Sequence, residues 1–291
     1  MKYPGIFFLL FLPSLVFSQN LPVEEEDERR TVDREIIDDE EEGSPPKVFH
    51  AEPVFIDLIA DLGARKGERA LELGLGMEDH LSYYRYSALI EYEFVPINRL
   101  GIELELPVTL YSETAESGNK GQNNNDREGS RLNAFRTAVQ YTFLVSERTK
   151  TSMALGYLNE LKLPDFRDYG AERIFQGNFY NPFLVVAKRF GYNFHTLILA
   201  GPVFDHDFSH GTLDAFWQIN TNFHYMIPGT RSFMGVEFNK EIEDNSFAMT
   251  IRPQVILNLS DSFSLGFAAG IPVNRDTQRM STFARLIYDI K

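Results

Sequence analysis

Ser262 to Ile271 reads SFSLGFAAGI, and its alternation decides the fold. Phe263, Leu265, Phe267, Ala269 and Ile271 fall on one face, while Ser264, Gly266, Ala268 and Gly270 fall on the other. Successive side chains of a strand point to opposite faces, so this two-residue beat marks a strand with one oily side and one small or polar side. The beat recurs from Arg69 to Ile290 and predicts about twelve strands. Two of them, near 182–190 and 194–204, are apolar on both faces and leave their register open.

The connections carry a second signal. Tight links such as Pro96-Ile97-Asn98-Arg99, Gly191-Tyr192-Asn193 and Ser260-Asp261-Ser262 alternate with longer polar ones, of which 112–130 and 162–180 are the extremes. Short turns at one rim and long loops at the other are the pattern of an outer-membrane barrel. The fold expected is therefore all-β: a transmembrane antiparallel up-and-down β-barrel over 69–291, with both termini periplasmic. A soluble β-sandwich also alternates. It has no use for the charges that recur on one face here: Glu72, Arg85, Glu91, Glu93, Glu103, Glu105, Arg136, Glu237, Arg252 and Arg285. These ten are the candidate lumen and selectivity residues. Tyr92, Phe94, Phe143, Phe223 and Tyr225 fall near the turn ends, where an interfacial aromatic girdle belongs.

The first 68 residues read differently. Lys2 followed by the apolar run Ile6 to Phe17, with Val16 and Ser18 at the small-residue positions before Gln19, predicts a signal peptide over 1–18. Residues 19–49 hold the acidic runs EEEDE (24–28) and DDEEE (38–42) and predict a disordered periplasmic arm. In 50–68, HAEPVFIDLIADLGARKGE, Phe55, Leu58, Ile59 and Leu62 recur at helical spacing between Pro53 and Gly63, which predicts a short amphipathic helix at the barrel mouth. His50 beside Glu52 reads as a solvated pair rather than a metal site.

Composition removes several function classes. The formal charge of −14 argues against nucleic acid as a partner. The chain has no cysteine, so disulfides, thiolate metal sites and a cysteine nucleophile are absent. No cofactor and no metal are expected.

The signal peptide ending at Ser18-Gln19, the HAEPVFIDLIADLGARKGE lead-in and the strand pattern resemble a family of outer-membrane β-barrel proteins of Bacteroidota-type bacteria. The resemblance covers Ala51 to the C-terminus and implies a barrel in the Gram-negative outer membrane, without naming a solute. A weaker likeness is to barrels associated with aromatic-hydrocarbon uptake. Outer-membrane barrels typically end on an aromatic residue recognised by the assembly machinery, whereas this chain ends Tyr288-Asp289-Ile290-Lys291.

Function is expected to be that of a channel or solute-binding barrel with a charged lumen, cation-preferring if open. Its partners are outer-membrane lipid, the barrel-assembly machinery and a small solute or ion. The charges can instead form a salt-bridge ladder that stiffens the wall. Two alternatives stand beside this reading. One is a lipid hydrolase, for which His80-Leu81-Ser82 and the knot of His206, Ser209 and His210 supply histidine and serine. The other is an interaction barrel without transport.

Overall fold

The structure, a computed structural model, describes residues 45–290 apart from 57, 82, 114–129, 167, 171–172 and 244–245. The signal peptide, both acidic runs of the arm, and nearly all of the loop around 112–130 lie outside the described residues.

The strands are β1 (Arg69–His80), β2 (Tyr83–Ile97), β3 (Leu100–Glu113), β4 (Arg131–Leu132), β5 (Ala134–Ser146), β6 (Thr151–Lys162), β7 (Gly177–Phe190), β8 (Phe194–Asp207), β9 (Thr212–Met226), β10 (Phe233–Glu243), β11 (Ser246–Ser260), β12 (Phe263–Pro272) and β13 (Gln278–Asp289). The two-residue β4 pairs with β3 just ahead of β5 and belongs to the same passage, so twelve strands form the wall. All pairings are antiparallel between successive passages, and β1 pairs with both β2 and β13. The sheet thus closes on itself and leaves no edge. Apart from β4 the strands run from 10 to 15 residues. That suffices for a tilted strand to cross the ~30 Å of hydrocarbon in a bilayer.

The two faces separate as the alternation requires. Outward-facing side chains are large and apolar, including Leu75 at 65% exposure, Trp217 at 54%, Phe223 at 57% and Phe267 at 44%. Inward-facing ones include Glu72, Glu91, Glu103, Glu105, Gln140, Asn220, Glu237, Gln254 and Arg285, all buried. Aromatic pairs sit toward the turn rim: Tyr92 stacks on Phe94 with ring centroids 5.8 Å apart, Phe194 meets Tyr225 at 5.3 Å, and Phe263 stacks on Tyr288 at 4.7 Å. Short connections follow β2, β5, β7, β9 and β11, and antiparallel order puts them at one rim, the turn rim, together with Arg69 at the start of β1 and Asp289 at the end of β13. The opposite, loop rim carries the long connections after β3 and β6, but those after β1, β8, β10 and β12 are short as well, so the expected contrast between the rims rests on two loops.

The helix predicted between Pro53 and Gly63 is not formed; the described part of this segment carries bends and a turn. The reason lies in its backbone hydrogen bonds. The N–H groups of Ala51, Val54 and Ile56 donate to His195 Nδ1, Gln254 Oε1 and Glu237 Oε1, at 2.8, 2.7 and 3.2 Å. Gln140 donates to the Ala60 carbonyl at 2.7 Å, and His224 to that of Ala51 at 3.1 Å. Every one of these partners is a wall side chain. The segment runs inside the barrel, and the wall satisfies the groups that a helix would pair internally.

Apolar spacing in the segment serves the same end. Leu58, Ile59 and Leu62 pack against Ala138, Ala154, Phe183, Val185, Ala187, Leu197 and Leu199 on the inner faces of β5 to β8. Val54 packs against Met226, Phe233, Ile256 and Ala268 across the lumen. This settles the register of β7 and β8. Phe183, Val185 and Ala187 face inward on β7, as do Leu197 and Leu199 on β8, while Leu184 and Ile198 face outward. Both faces are oily because one meets the exterior and the other meets the lead-in.

Candidate functional site

The lumen near the turn rim holds residues 46–68, described apart from 57, folded as a loop whose neck closes on itself. Lys47 Nζ reaches Asp61 at 2.6 Å and Glu68 at 2.9 Å, clipping the entering strand of the loop to the leaving one. Burial alone would push the Lys47 ammonium down, but the two carboxylates outweigh it and hold the group above its ordinary range. Burial likewise pushes Asp61 up, and Lys47 more than reverses this, bringing it down to about 2. Glu52 is driven well above the usual carboxylate range by burial and by Asp61 beside it.

Beyond the neck, the HAEP stretch is read by neutral, directional contacts. His50 Nε2 and Ser152 Oγ are 3.0 Å apart. His195 accepts the Ala51 N–H at Nδ1, so its proton belongs on Nε2, which faces the Tyr192 carbonyl at 3.2 Å. His224 gives its Nδ1 proton to the Ala51 carbonyl, and its Nε2 accepts from Gln254 Nε2 at 2.7 Å. The tautomers follow from these partners. Burial, with His195 and Arg189 near by, lowers His50 to about 3, so its ring is neutral across the physiological range. At the tip, Phe55 lies under the Arg252 guanidinium, 3.6 Å from Cζ to the ring centroid, and meets Phe283 edge-on at 5.7 Å. A cation over an aromatic face is attracted by the ring quadrupole.

The ten candidate lumen residues all lie on inward positions. Strand register puts Glu72, Glu91, Glu105, Arg136 and Glu160 in one row across β1, β2, β3, β5 and β6. Glu93 and Glu103 face each other in a parallel row nearer the turn rim. Arg285 meets Glu72 at 2.9 Å, and Arg136 meets Glu105 at 2.5 Å and Glu160 at 2.7 Å. Arg85 pairs with Glu78 at 3.1 Å toward the loop rim. Glu237 accepts from Ile56 of the lead-in and from Asn239, and Arg252 donates to Asn239 as well as covering Phe55. Some charges thus form salt bridges within the wall, and others hold the lead-in. Gln140, Thr142, His195, His224 and Gln254, which grip the lead-in backbone, and Ser152, which meets the His50 ring, are not among the candidates the sequence offers. Their signal was a run of uncharged hydrogen-bonding side chains at inward positions close to the tight turns.

Among the described residues considered for hydrolysis, each histidine has a partner other than a serine. His80 hydrogen-bonds Glu78 at 3.0 Å and stacks on Tyr83, while Ser82 lies outside the described residues. Asp207 holds His210 at 2.8 Å and accepts the Ser209 N–H, while His206 packs on Tyr180 and Phe208. The histidine–serine contact that does form, His50 with Ser152, is buried behind the lead-in.

A closed antiparallel cylinder with an oily exterior, a charged interior and its own N-terminal segment folded into the bore is a plugged, porin-like β-barrel. Residues 46–289 match the model of the HAEPLYID-like family, and the chain belongs to that family. The lead-in reads HAEPVFID at 50–57, differing from the family's letters at Val54 and Phe55. No curated protein matches the chain. Among solved structures the fold is similar to that of an outer membrane channel from Pseudomonas putida, with a TM-score of 0.61 at 9% identity, covering 81% of this chain and 100% of that one. It is also similar to the KdgM porin, with a TM-score of 0.51 at 12% identity, covering 76% of this chain and 99% of that one. At such identities the likeness is one of fold.

Proposed function

We propose that the protein is a cation-preferring outer-membrane channel whose lumen is held shut by its own lead-in. The observation that carries this reading is the loop at 46–68, which occupies the bore and is held by hydrogen bonds to wall side chains as well as by apolar packing. Here the wall presents imidazoles, amides and hydroxyls aimed at individual backbone groups of the loop. Cation preference is supported by acid at both rims. Asp205, Asp214, Glu241 and Glu243 line a cavity of about 330 Å³ near the loop rim. Near the turn rim stand the Glu72 and Glu93 rows. Rings of acidic side chains favour cations in a pore. The predicted signal peptide, the oily exterior and the rim shared by the start of β1 and the end of β13 support placement in the outer membrane with the termini periplasmic. Outer-membrane lipid, the assembly machinery and a small solute or ion are then the partners.

Planar-bilayer recording tests the reading. Wild-type protein is expected to conduct rarely. The double variant His195→Ala, Gln254→Ala, which removes two of the wall's hydrogen bonds to the loop, is expected to conduct much more often. Under a potassium chloride gradient the reversal potential takes the cation sign. An anion-sign reversal, or a double variant as silent as wild type, contradicts the proposal.

A further inference from the structure

The acidic rows of β1, β2 and β3 carry more charge than their arginines answer. Directly opposed like charges on neighbouring strands repel. Glu91 stands between Glu72 and Glu105 in register, and Glu103 and Glu93 face each other in the next row. One oxygen each from Glu91, Glu103 and Glu105 lie within 4.8 Å of one another, as do one each from Glu72, Glu91 and Glu93. Glu91 belongs to both sets. Arg285 is 2.9 Å from Glu72 but 4.0 Å from Glu91, and Arg136 is shared between Glu105 and Glu160.

A second observation points to a ligand. Glu91 is 1% exposed, and its Oε1 has no hydrogen-bond partner; the buried Oε1 of Glu105 has none either. A buried carboxylate oxygen without a donor is costly and calls for an explanation. A cation between the strands supplies one. Access exists, since Glu72 and Glu93 line a cavity of about 660 Å³ that runs beside the neck of the loop, past Lys47 and Asp61.

We propose that this strip, centred on Glu91, binds one hard divalent cation of the calcium class. All the donors are carboxylate oxygens, which suit calcium rather than zinc or copper. A calcium shell has metal–oxygen distances of about 2.3–2.6 Å, so its oxygens spread over up to about 5 Å, the scale of these sets. Magnesium gives up its waters reluctantly and is the weaker ligand. The proposal stands apart from the channel reading, because an ion stiffening β1 to β3 does not require conduction.

The test is calorimetric titration of the chelator-stripped, full mature chain in detergent with calcium chloride, read alongside the unfolding midpoint from heat-modifiable gel mobility. Wild type is expected to show one saturable site, distinct from weak association with the acidic arm, and a higher midpoint with calcium. Glu91→Gln is expected to weaken that site by more than about tenfold, since loss of even an outer-shell partner costs ten- to a hundredfold. Without calcium, Glu91→Gln is expected to unfold at a higher temperature than wild type, because it removes one of the crowded charges. Should Glu91→Gln fail to fold, Glu103→Gln serves the same purpose. Absence of saturable binding to wild type, or binding that survives in both variants, overturns the proposal.

Discussion

Gly101 marks how closely the lead-in approaches the wall. A Cβ placed there meets Ala60 Cβ at 2.4 Å and the Ile59 carbonyl at 3.2 Å, both in the loop. Only glycine allows backbone to come so near. Gly101→Leu is therefore expected to leave the barrel folded, with unchanged heat-modifiable mobility, while displacing the loop and raising open probability in bilayers. A second residue-scale prediction concerns His50. Its value of about 3 lies below the unfolded ~6.5. The docked state therefore binds fewer protons than the released one, and docking is fully favoured above about pH 6.5 and loses strength as pH falls from there toward 3. The groups facing the ring are His195, Arg189 and Lys188, which add to the effect, and Asp61, which opposes it. Open probability should thus rise on acidification through this window. His50→Asn should flatten that rise, measured as open probability against pH.

Among the elements, β1 to β3 and β9 to β12 were legible residue by residue, because a strand with oil on one side and polar groups on the other announces its register. β7 and β8 were not legible, and the lead-in was misread as a helix, for one shared reason. Leu58, Ile59 and Leu62 do bury a common side, but against Leu197, Leu199 and Phe183 rather than along a helical stripe. Spacing of apolar residues reports what is buried; it does not report whether backbone groups bond within the segment or to a surrounding wall. The ten charges were legible as inward-facing, whereas the partners that divide them between salt bridges and loop contacts depend on pairings far apart in sequence, such as Glu72 with Arg285. An element-scale prediction follows from the apolar seam. Leu58 is 1% exposed, and Leu58→Ala is expected to cost about 2–5 kcal/mol, the usual range for such a truncation in a core. Because the lost contacts join loop to wall, the cost should fall on docking. Amide exchange should therefore quicken in 48–64 while the strands retain their protection.

For the whole molecule, the arrangement is an oily cylinder that carries its own stopper. The exposed apolar band, with Leu75, Trp217 and Phe267 among its members, far exceeds what a water-soluble monomer leaves open and fits a lipid surround. Inside, the lead-in at 46–68 folds back through the turn rim and occupies the bore. Residues 46–68 sit in the lumen, and on the proposed function they control passage through it. The chain has no cysteine, so an engineered pair reports without background. A Cβ at Gly266 would lie 3.1 Å from Val54 Cγ1. That separation suits a disulfide between Val54→Cys and Gly266→Cys. In bilayer-inserted protein, oxidation is expected to form this cross-link and hold the channel closed even at low pH, and a reductant to restore opening. A folded barrel in which the two thiols do not join, or a cross-linked one that conducts as freely as the reduced form, would contradict it.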